Sequence, residues 1–104
     1  MLIVLGSVLA RHDTLEEARR LSTAHVERSR QEPGCLAHAV HIDVDEPLRL
    51  VFVERWTDWD ALRAHFQVPA SVAFARDLAR LGAAAPEMTI YEATPSRMPS
   101  ASGR

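Results

Sequence analysis

The run from Leu2 to Arg11, LIVLGSVLAR, constrains the fold most. It is dense in Val, Ile and Leu and predicts a β-strand. Alternate strand residues point to opposite faces, so Leu2, Val4, Val8 and Ala10 share one face and Ile3, Leu5 and Leu9 the other. Both faces are largely apolar, which implies a strand covered on both sides. Gly6 leaves room there for close approach of another element. No basic residue precedes the run and it lacks a clear small-residue cleavage site, so it reads as a strand rather than a signal peptide.

The next segment supplies one of the covers. Thr14-x-x-Glu17 fits a capping box, with Glu16 and Glu17 suited to the positive end of a helix dipole. The predicted helix runs to about Gln31 and carries a stripe of Leu15, Ala18, Ser22, Val26 and Ser29, with His25 at its margin. Glu32-Pro33-Gly34 stops it. Residues 35–44 and 49–57 read as two strands joined at the turn signal Asp45-Glu46-Pro47. Asp58 caps a helix reaching about Gln67, and Pro69 breaks it. A further helix starts at about Ala70 with Val72, Phe74, Ala75, Leu78 and Ala79 inward, and ends at Gly82. Residues 87–94 form a last strand, and the Pro/Ser-rich residues 95–104 are expected to be a disordered tail.

The order is βαββαβ with the second helix in two pieces, on one domain spanning residues 1–94. That is the α+β, ferredoxin-like pattern: a four-stranded antiparallel sheet with helices on one face. Helices on one face leave the other apolar face of the first strand uncovered. A second copy packed sheet against sheet is the economical cover.

Composition excludes several classes of function. The net charge of −2 is spread without a basic stripe, which argues against nucleic acid and against a membrane surface. No apolar segment approaches the ~20 residues of a membrane span. The lone Cys35 cannot form an internal disulfide, and the cytoplasm is the default compartment. The chain contains no lysine, which excludes a lysine Schiff base, and no asparagine. No HxH, HExxH or CxxC spacing is present. His38 and His41 lie three apart on a strand, so their rings face opposite ways and do not chelate.

The string EPGCLAHAVHIDVDEPLRLVFVERWTDWDALRAHFQVPASVAF, residues 32–74, resembles the antibiotic biosynthesis monooxygenase domain family. The Glu-Pro-Gly-Cys turn, the hairpin, the ERW strand end, the helix with Ala61-Leu62 and His65, and the proline before the next helix carry the resemblance. It implies a dimeric α+β barrel. It also implies, for some members, oxygenation of dihydroxy-aromatics, quinols or polyketide anthrones by O2 without metal or flavin; others degrade haem. Haem-degrading relatives carry an asparagine where this chain has Ser7 and an iron-ligating histidine where it has Ala75, so haem degradation is disfavoured. Quinol-oxidising relatives often carry a second histidine where Ala70 stands, and a common second-strand tyrosine is His38.

His65 is the candidate general base, because a neutral imidazole can take the proton of a phenol-like hydroxyl near neutral pH. It is expected on the flank of a stripe made by Trp59, Leu62 and Phe66. His38, on the apolar face of its strand, is the second candidate. Trp56, His38, Phe66, Phe74 and Ser7 are the candidate substrate-binding residues. Trp59 reads as core, Glu54-Arg55 as an intersubunit ion pair, and His12 and His25 as surface or margin. The expected function is oxidation of a small hydroxylated aromatic by O2 in a homodimer with no cofactor. A non-catalytic small-molecule-binding or sensing domain on the same fold is the rival.

Overall fold

A computed structural model describes residues 1–99. Its elements are β1 (Leu2–Leu9), α1 (Leu15–Ser29), β2 (Cys35–Ile42), β3 (Arg49–Trp56), α2 (Trp59–Gln67), α3 (Pro69–Leu81) and β4 (Glu87–Glu92). The four strands form one sheet in the order β2-β3-β1-β4, every pairing antiparallel. This is the ferredoxin-like architecture expected from the order of elements. Residues 95–99 are exposed and carry no helix or strand. The rest of the expected tail, 100–104, lies outside the described residues.

Register decides what each face carries. Leu2 pairs with Trp56, Val4 with Glu54, Gly6 with Phe52 and Val8 with Leu50. His38 pairs with Glu54 and Val40 with Phe52 on the far side of β3. These residues face the helices. Two apolar clusters form there, one of Val8, Ala18, Val26, Leu50 and Leu78 with their neighbours, the other of Leu2, Val4, Trp56 and Leu62. Gly6 sits at a helix-facing position between them without a side chain, and the gap it leaves belongs to a cavity between sheet and helices.

Several details differ from expectation. Thr14 does not cap α1: its Oγ1 accepts from the Arg11 backbone N–H at 2.9 Å and donates to the Leu81 carbonyl at 2.7 Å, tying the entry of α1 to the exit of α3. Asp58 caps α2 as expected, accepting from the Ala61 N–H at 2.9 Å. β2 stops at Ile42 because Asp43 Oδ1 accepts from the Asp45 N–H and turns the chain early. α3 begins at Pro69, at the first helical turn where proline fits, and its inward residues are Ser71, Leu78 and Leu81 with Phe74 half-buried. Val72, Ala75 and Ala79 are exposed, contrary to expectation, and the first two border the open cavity. Trp59 is 36% exposed, with the Arg63 guanidinium over its ring, so it is a surface residue rather than core.

Candidate functional site

The site lies between the sheet and the three helices. α1 repeats small residues along its inner face, Ala18, Ser22 and Ser29, and this lets the helix lie close to the sheet. His25 falls in that row and is 5% exposed, not marginal. His38 on β2 is 2% exposed and His65 on α2 is 3% exposed. The three rings converge, with centroid separations of 5.2 Å for His25–His38, 5.3 Å for His25–His65 and 5.5 Å for His38–His65. Three elements distant in sequence build this cluster, which no local spacing announces.

Each ring has its own surroundings. His65 Nδ1 lies 2.8 Å from Glu32 Oε1, and the ring packs on Trp56 at 4.6 Å. The carboxylate comes from the turn that ends α1. That turn is fixed by Gly34, whose φ of 82° is left-handed and whose carbonyl accepts from the Thr57 N–H at 2.9 Å. His25 Nδ1 lies 2.8 Å from an Arg28 guanidinium nitrogen, and Phe74 stacks on its ring at 4.0 Å and 9°. Burial above all, then the neighbouring His38, His65 and Arg28, pull the His25 pKa down to about 3, so this ring is neutral at neutral pH. His38 Nε2 lies 3.3 Å from Glu54 Oε1, off hydrogen-bond alignment, and neither ring nitrogen has a hydrogen-bond partner among the described residues.

Glu54 is buried and is held inside its own chain by the Trp56 indole N–H, which donates to Oε1 at 2.8 Å, and by His38. The expected intersubunit role for Glu54 is therefore corrected. Burial raises its pKa, but the adjacent His38 imidazole, aided by the Trp56 hydrogen bond and by His65, outweighs that and holds it below the ordinary carboxylate range. Burial, followed by the nearby Glu54 and Glu32 carboxylates, pushes the Cys35 thiol up, which fits a packing role.

A cavity of about 400 Å³ opens beside the cluster, walled largely by apolar side chains. Of the residues singled out from sequence, His65, Phe66 and Phe74 line it; Ser7 borders it on β1, but by register it shares the opposite sheet face with Leu5 and Val51, which corrects its expected place against the substrate. Trp56 and His38 stand behind the wall, Trp56 with no exposed surface. Sequence reasoning missed His25, Glu32 and Glu54. His25 lies three residues after Ser22 and four before Ser29, a helical spacing that would have placed it inward. Glu32 reads in sequence only as part of a helix stop.

One nitrogen from each histidine lies within 4.8 Å of the others, so the three rings are the residues from which a transition ion could be held. Two features oppose that use. His25 Nδ1 is already occupied by Arg28, and the guanidinium charge repels a cation. Ala75, on the cavity wall, offers no further ligand beside the three rings.

The family model described as antibiotic biosynthesis monooxygenase matches residues 1–77. The chain belongs to the antibiotic biosynthesis monooxygenase family. A Deinococcus radiodurans protein provisionally assigned as an antibiotic biosynthesis monooxygenase superposes with a TM-score of 0.90 at 26% identity, covering 96% of this chain and 99% of that one. Rv0793 from Mycobacterium tuberculosis superposes with a TM-score of 0.85 at 22% identity, over 93% and 98% of the two chains, which speaks for the fold alone. In sequence, the uncharacterized protein sll1783 of Synechocystis is 34% identical over 91 residues, 88% of this chain. The chain spans 62% of the length of that relative. In this monooxygenase-family domain, no helix among the described residues is long and apolar enough to cross a membrane.

Proposed function

We propose that this chain is a monooxygenase that oxidises a small hydroxylated aromatic, quinol-like or polyketide-like, with O2 and without a cofactor. The observation that carries the proposal is the Glu32–His65 pair on the wall of a mostly apolar cavity of about 400 Å³. A carboxylate on Nδ1 fixes the proton there and leaves Nε2 as a basic lone pair. His65 Nε2 takes the hydroxyl proton of the substrate, and the electron-rich anion that results reduces O2. Oxygen then bonds to an activated ring carbon as a hydroperoxide, which eliminates water and leaves a carbonyl. In an anthrone the CH2 becomes C=O, and in a quinol a ring C–H carbon does so with the second hydrogen coming from a hydroxyl; one oxygen atom ends in product and the other in water with those two hydrogens. Phe66 and Phe74 flank the planar substrate, and Trp56 and His38 support the base from behind.

The assembly proposed is a homodimer through the sheet face away from the helices. Ile3, Leu5, Leu9, Val51, Val53 and Tyr91 lie on that face by register, and Leu5 and Tyr91 are exposed in the single chain.

The test is O2 uptake and product analysis on a panel of quinols and anthrones with protein free of added metal and flavin. Turnover lost in His65→Ala is expected. Binding without turnover across the panel would replace the proposal with the binding-domain alternative, and turnover only with haem would overturn it.

A further inference from the structure

Resting on that reading, we infer that His25 is the second catalytic group of the site: an N–H donor that holds the substrate oxygen as it becomes an anion. The chemistry of each ring's partner sets its tautomer. A guanidinium has donors and no acceptor, so the 2.8 Å contact between Arg28 and His25 Nδ1 makes Nδ1 the acceptor. Neutral His25 must then carry its proton on Nε2. A carboxylate has only acceptors, so the 2.8 Å contact between Glu32 and His65 Nδ1 puts the proton on Nδ1 and leaves Nε2 bare. The two rings are thus locked in opposite tautomers by two different neighbours.

Both rings line the cavity, and His38 does not. Their centroids are 5.3 Å apart, and nitrogens of the two approach within 4.8 Å. One oxygen at hydrogen-bond distance from two nitrogens can bridge a gap of up to about 5.6 Å. Because Arg28 and Glu32 engage the two Nδ1 atoms, the nitrogens left to share one hydroxyl oxygen are the two Nε2 atoms: the oxygen donates to His65 Nε2 and accepts from His25 Nε2–H. When its O–H bond breaks, the proton forms an N–H bond on His65 Nε2 and the electron pair stays on oxygen. The anion then faces two N–H donors. Phe74, stacked on His25, holds the donor ring in place, and Arg28 is its positioning residue, steadied in turn by Ser71 Oγ at 3.3 Å. This pair of groups selects one ligand class: an aryl or enolic hydroxyl that binds through one oxygen as its anion. A carboxylate or a simple alcohol meets the pair less well, the first lacking a proton to give and the second too weak an acid to give it.

The tautomers are read directly by long-range 1H–15N correlation spectra of 15N-histidine-labelled protein. His25 protonated on Nε2 and His65 on Nδ1 are expected. Arg28→Lys keeps a donor and should keep the His25 tautomer; Arg28→Met should release it to a mixture. Binding is read with 4-nitrophenol at fixed pH, through the absorbance of its phenolate. His25→Leu should weaken phenolate binding about tenfold, the scale of one hydrogen bond to a charged group, while His25→Gln, which retains an N–H donor, should stay within threefold. A thermal melt of each variant identifies any that fails to fold, and the wild-type spectrum needs no variant. Wild-type His25 protonated on Nδ1, or phenolate bound equally tightly by folded His25→Leu, overturns the inference. Neither readout depends on turnover, so absence of oxygenation would overturn the proposed function and leave this assignment standing.

Discussion

Glu32 and His65 are thirty-three residues apart in sequence and 2.8 Å apart in space, a carboxylate oxygen on an imidazole Nδ1. The His65 side chain is 4% exposed and that of Glu32 16%, so the pair is shielded from solvent without being sealed from it. This contact joins the turn after α1 to α2 and gives the base its orientation.

Replacing His65 by Ala is expected to lower turnover by roughly 10²- to 10⁴-fold per folded molecule, the range of a lost general base. Gln at this position should fare little better, since it cannot take the proton. Glu32→Gln should retain the ring but lose the charge that fixes its tautomer, with an intermediate loss of rate. Because His65 is buried against Trp56, its Ala variant should also melt lower, so rates must be normalised to folded protein. Steady-state kinetics on a responsive quinol beside a thermal melt checks all three; activity of His65→Ala within threefold of wild type would remove His65 from the chemistry.

Much of the fold is legible in the sequence because it is written in local periods. The two-residue alternation in β1 and β3, the Asp58 cap and the Pro69 break each act within a few residues. The candidate site is legible only in part. His65, Phe66 and Phe74 can be found by apolar or helical spacing, whereas Ser7, chosen by family position, is turned by its register to the other face of the sheet. His25 looks marginal because a helix stripe is judged by apolar residues, and a histidine at its centre reads as an edge. Glu32 and Glu54 are misread because charged residues at element ends are usually solvated. Only the tertiary structure shows that each has a buried histidine beside it.

Acid should destabilise the protein through His25. Its pKa of about 3 in the fold lies below the 6.5 of an unperturbed histidine, so between those values the unfolded chain binds more protons. Stability is then complete above about pH 6.5 and falls as pH drops, by up to ~1.4 kcal/mol per pH unit. The depressed Glu54 acts in the same direction, its contribution present above pH 4.5 and lost as pH falls through its lower folded value. Urea midpoints between pH 7.5 and 4 should decline in wild type and decline less in His25→Gln. An unchanged slope in that variant would assign the acid sensitivity elsewhere.

Gly34→Ala is expected to be among the most damaging single-methyl additions. The backbone there has a φ of +82°, and an added Cβ would stand 2.5 Å from Ala61 Cβ and 2.7 Å from Thr57 Oγ1. The left-handed conformation alone costs about 1–2 kcal/mol for a non-glycine residue, and the collision with α2 adds to it. The turn carries Glu32, so the variant should lose turnover beyond its loss of stability. Equilibrium unfolding checks the first effect and kcat per folded molecule the second; a change in stability under about 1 kcal/mol, the low end of that cost, would show that the turn adjusts freely.

Val53→Arg tests the proposed dimer. Val53 lies on β3, paired with Leu5 and Ala39, on the sheet face turned away from every helix. In a single chain it is only half-buried, so an arginine there can reach water and the monomer should still fold. In a sheet-to-sheet dimer the same guanidinium would be buried in an apolar interface without a partner, at a cost of several kcal/mol. The expected outcome is therefore wild-type dimer at micromolar concentration and a folded monomer in the variant. Sedimentation velocity separates the two, and circular dichroism verifies the fold. A wild-type monomer at those concentrations would overturn the dimer outright. A dimer that survives Val53→Arg would move the interface off this face and leave the second apolar side of β1 without its proposed cover.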